Sequence, residues 1–149
     1  RDPGALVTPA PSASTVPVSP VVAFVIRLVT PFSALFAGYV LLHGHSSPGG
    51  GFQAGSILGG IFIVLTVIVG REHTLVLLPR RVAPLMQGTA LISFIVVGIL
   101  GAVLTGYFLG FPAVAAPALT ELMITVIEIG IGLGGAAIFA TIFLQMEAE

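Results

Sequence analysis

Four long and nearly charge-free apolar runs, at about 21–42, 52–69, 83–109 and 120–146, leave this chain few ways to fold. About 20 apolar residues in helical form cross the roughly 30 Å hydrocarbon layer of a bilayer. Backbone N–H and C=O groups in lipid must be satisfied within the protein, so runs of this length are expected to be helices. A transmembrane β-barrel requires short alternating segments instead, and the sequence has none. The composition agrees. Hydrophobic residues make up 56% of the 149 and charged residues only 7%, against about 25% charged in a soluble domain. The predicted fold is an all-α integral membrane protein. It has four transmembrane helices over residues 21–149 and a glycine-rich break between the first two.

Other classes fall away on the same count. With no cysteine there is no disulfide framework and no thiolate metal site. With no lysine and a formal net charge of −1, the chain cannot neutralise the phosphates of a nucleic acid. Residues 1–20 are rich in Pro, Ser, Thr and Ala and have little to bury. They are expected to form a mobile tail. They lack the basic start and short apolar core of a signal peptide. The chain begins at Arg1, so its start is expected to have been trimmed or to be incomplete.

Orientation follows from the arginines. Arg71, Arg80 and Arg81 lie in the connection before the third run. Basic loops favour the cytoplasmic side, which would place both termini inside and the break at 43–53 outside.

The fourth run carries two acids, Glu121 and Glu128. A charged side chain at mid-membrane costs about 2.5–3.5 kcal/mol on insertion scales, so such residues are candidates for function. Their seven-residue spacing puts them on one helix face, together with Thr125, Gly132 and Gly135. Glu121 can instead stand at headgroup level, where its charge is cheap. Glu128, about 10 Å deeper at the helical rise, is expected to have a protein partner or a proton-linked role. A carboxyl near water can load and release a proton, or can act as a fixed hydrogen-bond donor, and both readings stay open.

The same run contains Gly130-Ile131-Gly132-Leu133-Gly134-Gly135, a formal G-x-G-x-x-G. The dinucleotide fingerprint must follow a strand and open a helix, whereas this one lies inside an apolar helix. Close helix packing through Gly130 and Gly134 is the expected use, and Gly55 and Gly59 read the same way.

Between the first two runs stands His43-Gly44-His45-Ser46-Ser47-Pro48-Gly49-Gly50-Gly51-Phe52-Gln53-Ala54-Gly55. Two histidines, with His73 elsewhere, are too few for a tetrahedral metal site. They can end the first helix, since imidazole is favourable near its last carbonyls. They also titrate near neutral pH, beside a candidate intramembrane path. Pro48 removes a helical donor. The glycines at 49, 50 and 51 allow very close backbone approach, more than a plain turn needs. The segment is expected to pack against another backbone, because polar backbone at that depth must be covered by protein or face a water cavity.

The run His43-Gly44-His45-x-x-Pro48-Gly49-Gly50-Gly51-Phe52-Gln53-x-Gly55 resembles the signature of the MnhB-like subunits of the multisubunit Mrp-type cation/proton antiporters. The resemblance covers about residues 20–146. A second match is Ile127-Glu128-Ile129-Gly130, where the family often carries Asp-Ile-Gly. Glutamate keeps the carboxyl and lengthens its reach. The Pro/Ser-rich leader is outside the family pattern.

The resemblance implies an accessory subunit in a multi-pass, prokaryotic cell-membrane complex that exchanges external protons for cytoplasmic sodium. Its partners would be large subunits related to the proton-pumping arm of respiratory complex I, together with other small membrane subunits. The break would dock a neighbour. Glu128, with Glu121, His43 and His45, would line a path for cation or proton. Related subunits in hydrogenase-type complexes keep a second reading open, a membrane-arm subunit of a redox-driven ion pump. A third is pure scaffold. No nucleophile–base pair, phosphate loop, cofactor motif or metal-ligand set is legible, so no catalytic residue and no cofactor are expected.

Overall fold

The computed structural model describes residues 19–44, 49–79 and 81–146. The expected mobile tail falls almost wholly outside these residues, as do His45, Pro48 and Arg80. Among the described residues the chain is helical and has no strand. Four helices are long and apolar enough to cross a membrane: α1 (Pro20–Leu42), α2 (Gly51–Val69), α4 (Val82–Thr105) and α5 (Pro117–Met146). A short helix, α3 (Arg71–Leu77), occupies the connection between α2 and α4. The expectation of an all-α, four-span membrane protein therefore holds.

Two helix ends depart from the boundaries read off hydropathy. α4 ends at Thr105, although apolar residues continue through Leu109. Gly106 turns the chain into the left-handed region at φ +84° and caps the helix, its N–H donating to Ala102 O at 2.9 Å. Residues 106–110 then fold back on α4. Leu109 N donates to Gly98 O at 3.3 Å, and the Phe108 ring covers Gly98 and stands edge-on to Phe94 at 6.2 Å. α5 begins three residues before the expected boundary, at Pro117, a position where the missing proline N–H costs no helical bond.

The four spans stand in a row, α1–α2–α5–α4. α1 also grazes α5, but among the described residues α4 comes near neither α1 nor α2. The contacts that build the row are made by small residues. The buried apolar set is Ala37, Ala54, Ala83, Val97, Met123, Ala137 and Ala140, while large side chains such as Leu35, Val103 and Phe36 face outward. Between helices in lipid there is no hydrophobic drive, so close van der Waals approach across small residues is what holds them.

α5 is the centre of the row and uses two faces. Toward α2, Gly55 lies so close that a Cβ there would stand 2.6 Å from Gly132 O, and one on Gly59 would stand 2.7 Å from Phe139 Cβ. α2 and α5 run parallel through these contacts. Toward α4, a Cβ on Gly130 would stand 2.7 Å from Ser93 Oγ, and one on Gly134 would stand 2.8 Å from Ala90 Cβ. That contact is antiparallel. The α1–α2 break and the α4–α5 link consequently share one end of the molecule, with α3 at the other.

The two hairpins differ in height. The start of α2 meets α5 at Glu128, eleven residues inside α5, which is about 16 Å at the helical rise. The α4–α5 hairpin thus overtops the break by that much. In the other direction α2 runs 19 residues to Val69 before α3 begins, about 27 Å at the helical rise. The break and α3 therefore stand about one hydrocarbon thickness apart.

Candidate functional site

The site is built where α1 ends and α2 begins, against the middle of α5. α1 closes with His43, whose N–H donates to Tyr39 O at 3.1 Å. The His43 ring stacks on Tyr39 at 4.3 Å, and its Nδ1 lies 3.1 Å from the same carbonyl. Gly44 follows. The chain re-enters the described residues at Gly49, and Gly50 caps α2 at φ +148° and ψ 177°, a backbone region essentially reserved for glycine. Gly50 and Gly51 are both buried. Gly51 rests directly on the backbone carbonyl of Glu128, which leaves no room for a side chain there.

The Glu128 carboxyl reaches back to the other side of the break. It lies against Gly44, where an added Cβ would stand 2.7 Å from Cδ and 2.8 Å from Oε2 and closer still to Oε1. Oε2 is buried and has no hydrogen-bond partner among the described residues. A buried carboxylate oxygen without a donor is costly; residues 45–48, which follow Gly44 in the chain, lie outside the described residues. The residue as a whole is partly exposed, so the carboxyl is not sealed within the chain.

The remaining candidates scatter around this point. Glu121 is exposed on α5, two turns toward the α4–α5 link, and no described group joins it to Glu128. Thr125, between the two acids, turns its hydroxyl inward on its own helix and donates to Glu121 O at 2.8 Å. Phe52 is exposed with its ring 6.2 Å from Phe139, and Gln53 sends its Oε1 toward Gly50. Gly132 packs beside Leu41 and the Gly51 backbone, whereas Gly135 has nothing within 4 Å of where its Cβ would stand. His45 and Pro48 lie outside the described residues. Among the described residues no three His, Cys, Asp or Glu gather into a metal cage.

One polar pair was not singled out from the sequence. Gln87 Nε2 donates to Thr141 Oγ1 at 3.3 Å, tying α4 to α5. Both line a cavity of about 480 Å³ at the α3 end, with Arg71 and Gln145. The available signal was a lone amide inside the third apolar run.

Comparison with known proteins adds the family. A family model described as "Domain related to MnhB subunit of Na+/H+ antiporter" matches residues 21–145. A Staphylococcus saprophyticus protein named for an antiporter subunit, mnhB2, is 31% identical over 133 residues, covering 83% of this chain and 90% of that protein. The uncharacterized protein MJ1307 of Methanocaldococcus jannaschii is 27% identical over 143 residues; this chain spans 53% of its length. The matched region takes in α1 through nearly all of α5, break and Glu128 included, and on that ground the chain belongs to the family of the MnhB subunit of Na+/H+ antiporters.

Proposed function

We propose that the chain is an accessory membrane subunit of a multisubunit Na⁺(Li⁺)/H⁺ antiporter in a prokaryotic cell membrane, with no catalytic site of its own. In this reading it docks neighbouring subunits and contributes a polar step to an intramembrane cation or proton path. The single observation behind the path is Glu128, a carboxyl in the fourth span that is set on the glycine break with one oxygen buried and, among the described residues, unpartnered. In the same reading Glu121, His43 and His45 are further candidates for that path.

Two features support a docking role. A row of four spans leaves most large apolar side chains of the described residues exposed. The break also sets glycine backbone at Gly50 and Gly51 at the end of a span, and backbone polar groups that meet lipid there need protein or a water cavity around them. Partners related to the proton-pumping arm of complex I, and further small membrane subunits, would supply that cover.

The test is Glu128→Gln in the whole complex. The amide keeps size and hydrogen-bonding capacity but neither ionises nor releases a proton. Na⁺/H⁺ antiport in everted membrane vesicles is expected to fall about ten-fold or more, as expected when a charged contact worth about 1.5–3 kcal/mol is lost. A native gel is expected to show the complex still assembled. Normal antiport with the variant would remove the path role. Loss of assembly with intact ion coupling per complex would favour a purely scaffolding part.

A further inference from the structure

We propose that two adjoining cavities on α5 hold one anionic phospholipid, its phosphate among the polar groups at the α3 end and one acyl chain laid along α5 between α2 and α4. Glu128 lines neither cavity, so the site is separate from the ion path proposed above.

The groove follows from the row of helices. α4 packs on α5 but comes near neither α1 nor α2 among the described residues, so one face of α5 is left uncovered between its neighbours. Phe52 of α2 stands on one side of this face and Leu91 and Phe94 of α4 on the other, over a hollow of about 430 Å³. Gly130, Gly134 and Gly135 form its floor. At Gly135 no atom lies within 4 Å of where a Cβ would stand. Among the described residues that line this hollow, Gln87 carries the one polar side chain. Gln87 also lines the cavity of about 480 Å³ at the α3 end, where Arg71, Thr141 and Gln145 join it.

Read along α5, these surfaces run from polar to apolar as a lipid does from head to tail. Arg71 comes two residues after α2 ends at Val69, the level at which a span meets headgroups. Its guanidinium presents paired N–H groups that match two phosphate oxygens. Gln145 adds amide donors, and Gln87 spends one N–H on Thr141 Oγ1 at 3.3 Å and keeps a second. From Thr141 to Gly130 the lining spans eleven residues of α5, about 16 Å at the helical rise. That is half of the roughly 30 Å hydrocarbon layer, the depth of one leaflet and so the reach of one acyl chain.

Charge selects the head. Among the described residues no acid lines either cavity, so an anionic head is favoured over one that carries an ammonium. Basic pockets between membrane helices bind anionic headgroups in this way. A soluble anion would use the polar cavity and leave the groove open. An uncharged apolar molecule would fill the groove and make no use of Arg71.

The experiment titrates the full complex, delipidated in detergent, with dioleoyl-phosphatidylglycerol and counts bound lipid by native mass spectrometry. Arg71→Gln removes the charge. Gly135→Leu fills the groove, and the open space at Gly135 admits the side chain without moving α2 or α4. Each is expected to raise the Kd of one lipid equivalent about ten-fold, Arg71→Gln through a lost charged hydrogen bond and Gly135→Leu through exclusion of about two methylenes. Gly60→Leu, equally open and outside both cavities, is expected to bind as the unaltered chain does. Dioleoyl-phosphatidylethanolamine is expected to bind the unaltered complex about five-fold more weakly. An unchanged Kd in Arg71→Gln overturns the site, and is the outcome if a carboxylate from beyond Gln145 already holds the guanidinium. If Gly135→Leu does not assemble on a native gel, Arg71→Gln decides alone. An assembled Gly135→Leu complex with unchanged Kd also overturns the site. Displacement of the lipid by inorganic phosphate would assign the polar cavity to a free anion and overturn it as well. None of these readouts measures antiport, so the site and the Glu128 path stand or fall separately.

Discussion

At the scale of single residues, this chain is governed by where a side chain is forbidden. On α2, a Cβ at Gly55 would meet the Gly132 carbonyl at 2.6 Å, while one at Gly60 would meet nothing within 4 Å. The obstacle at Gly55 is backbone, which cannot rotate away. Gly55→Ala is expected to destabilise the chain by about 1–3 kcal/mol, the usual range for overpacking. Gly60→Ala is expected to be neutral or to stabilise by up to about 1 kcal/mol through helix propensity. Thermal loss of the detergent-solubilised complex, followed on native gels, separates the two; equal behaviour would contradict the α2–α5 contact. Glu128 belongs to the same scale, since its carboxyl can occupy the α1 end only because position 44 has no side chain.

Helices and their links show how far pattern reading carries. α1, α2 and α5 fall within three residues of the runs seen in the sequence, because lipid selects for apolar length directly. α4 does not, since hydropathy has no term for the backbone torsion at Gly106. The residues after it are as apolar as the helix, but they pack on its outside. The glycines at 130 and 134 were recognisable as a close-packing face, yet their partners Ser93 and Ala90 on α4 were not, because spacing on one helix is silent about its neighbour. The Gln87–Thr141 bond belongs to this same α4–α5 contact. Hydrogen bonds between membrane helices average about 0.6 kcal/mol, so Gln87→Leu is expected to cost less than about 1 kcal/mol in the same thermal measurement. A loss several times larger would mean that the cavity beside Gln87 contributes more than this one bond.

For the molecule as a whole, the row α1–α2–α5–α4 puts the break and the α4–α5 link at one end and α3 at the other. On the arginine bias, α3 is expected to face the cytoplasm. Because the chain has no cysteine, single replacements report cleanly. Glu72→Cys, exposed on α3, is expected to react with a membrane-impermeant maleimide only in everted vesicles. Tyr107→Cys, exposed after α4, is expected to react only from the outside of intact cells. The reverse pattern would invert the topology. What the sequence alone determined was the apolar, membrane-spanning character, the number of spans, the close-packing glycines and the presence of an acid within the last apolar run. Each is a property of consecutive residues on one helix. What the tertiary structure decided was the order of the helices, the unequal height of the two hairpins, and the meeting of Glu128 with Gly44. That meeting joins residues far apart in the chain, and it exists because α5 packs parallel to α2 with its Glu128 turn against the start of that helix. No local pattern encodes which surfaces two helices choose when lipid is equally willing to cover either.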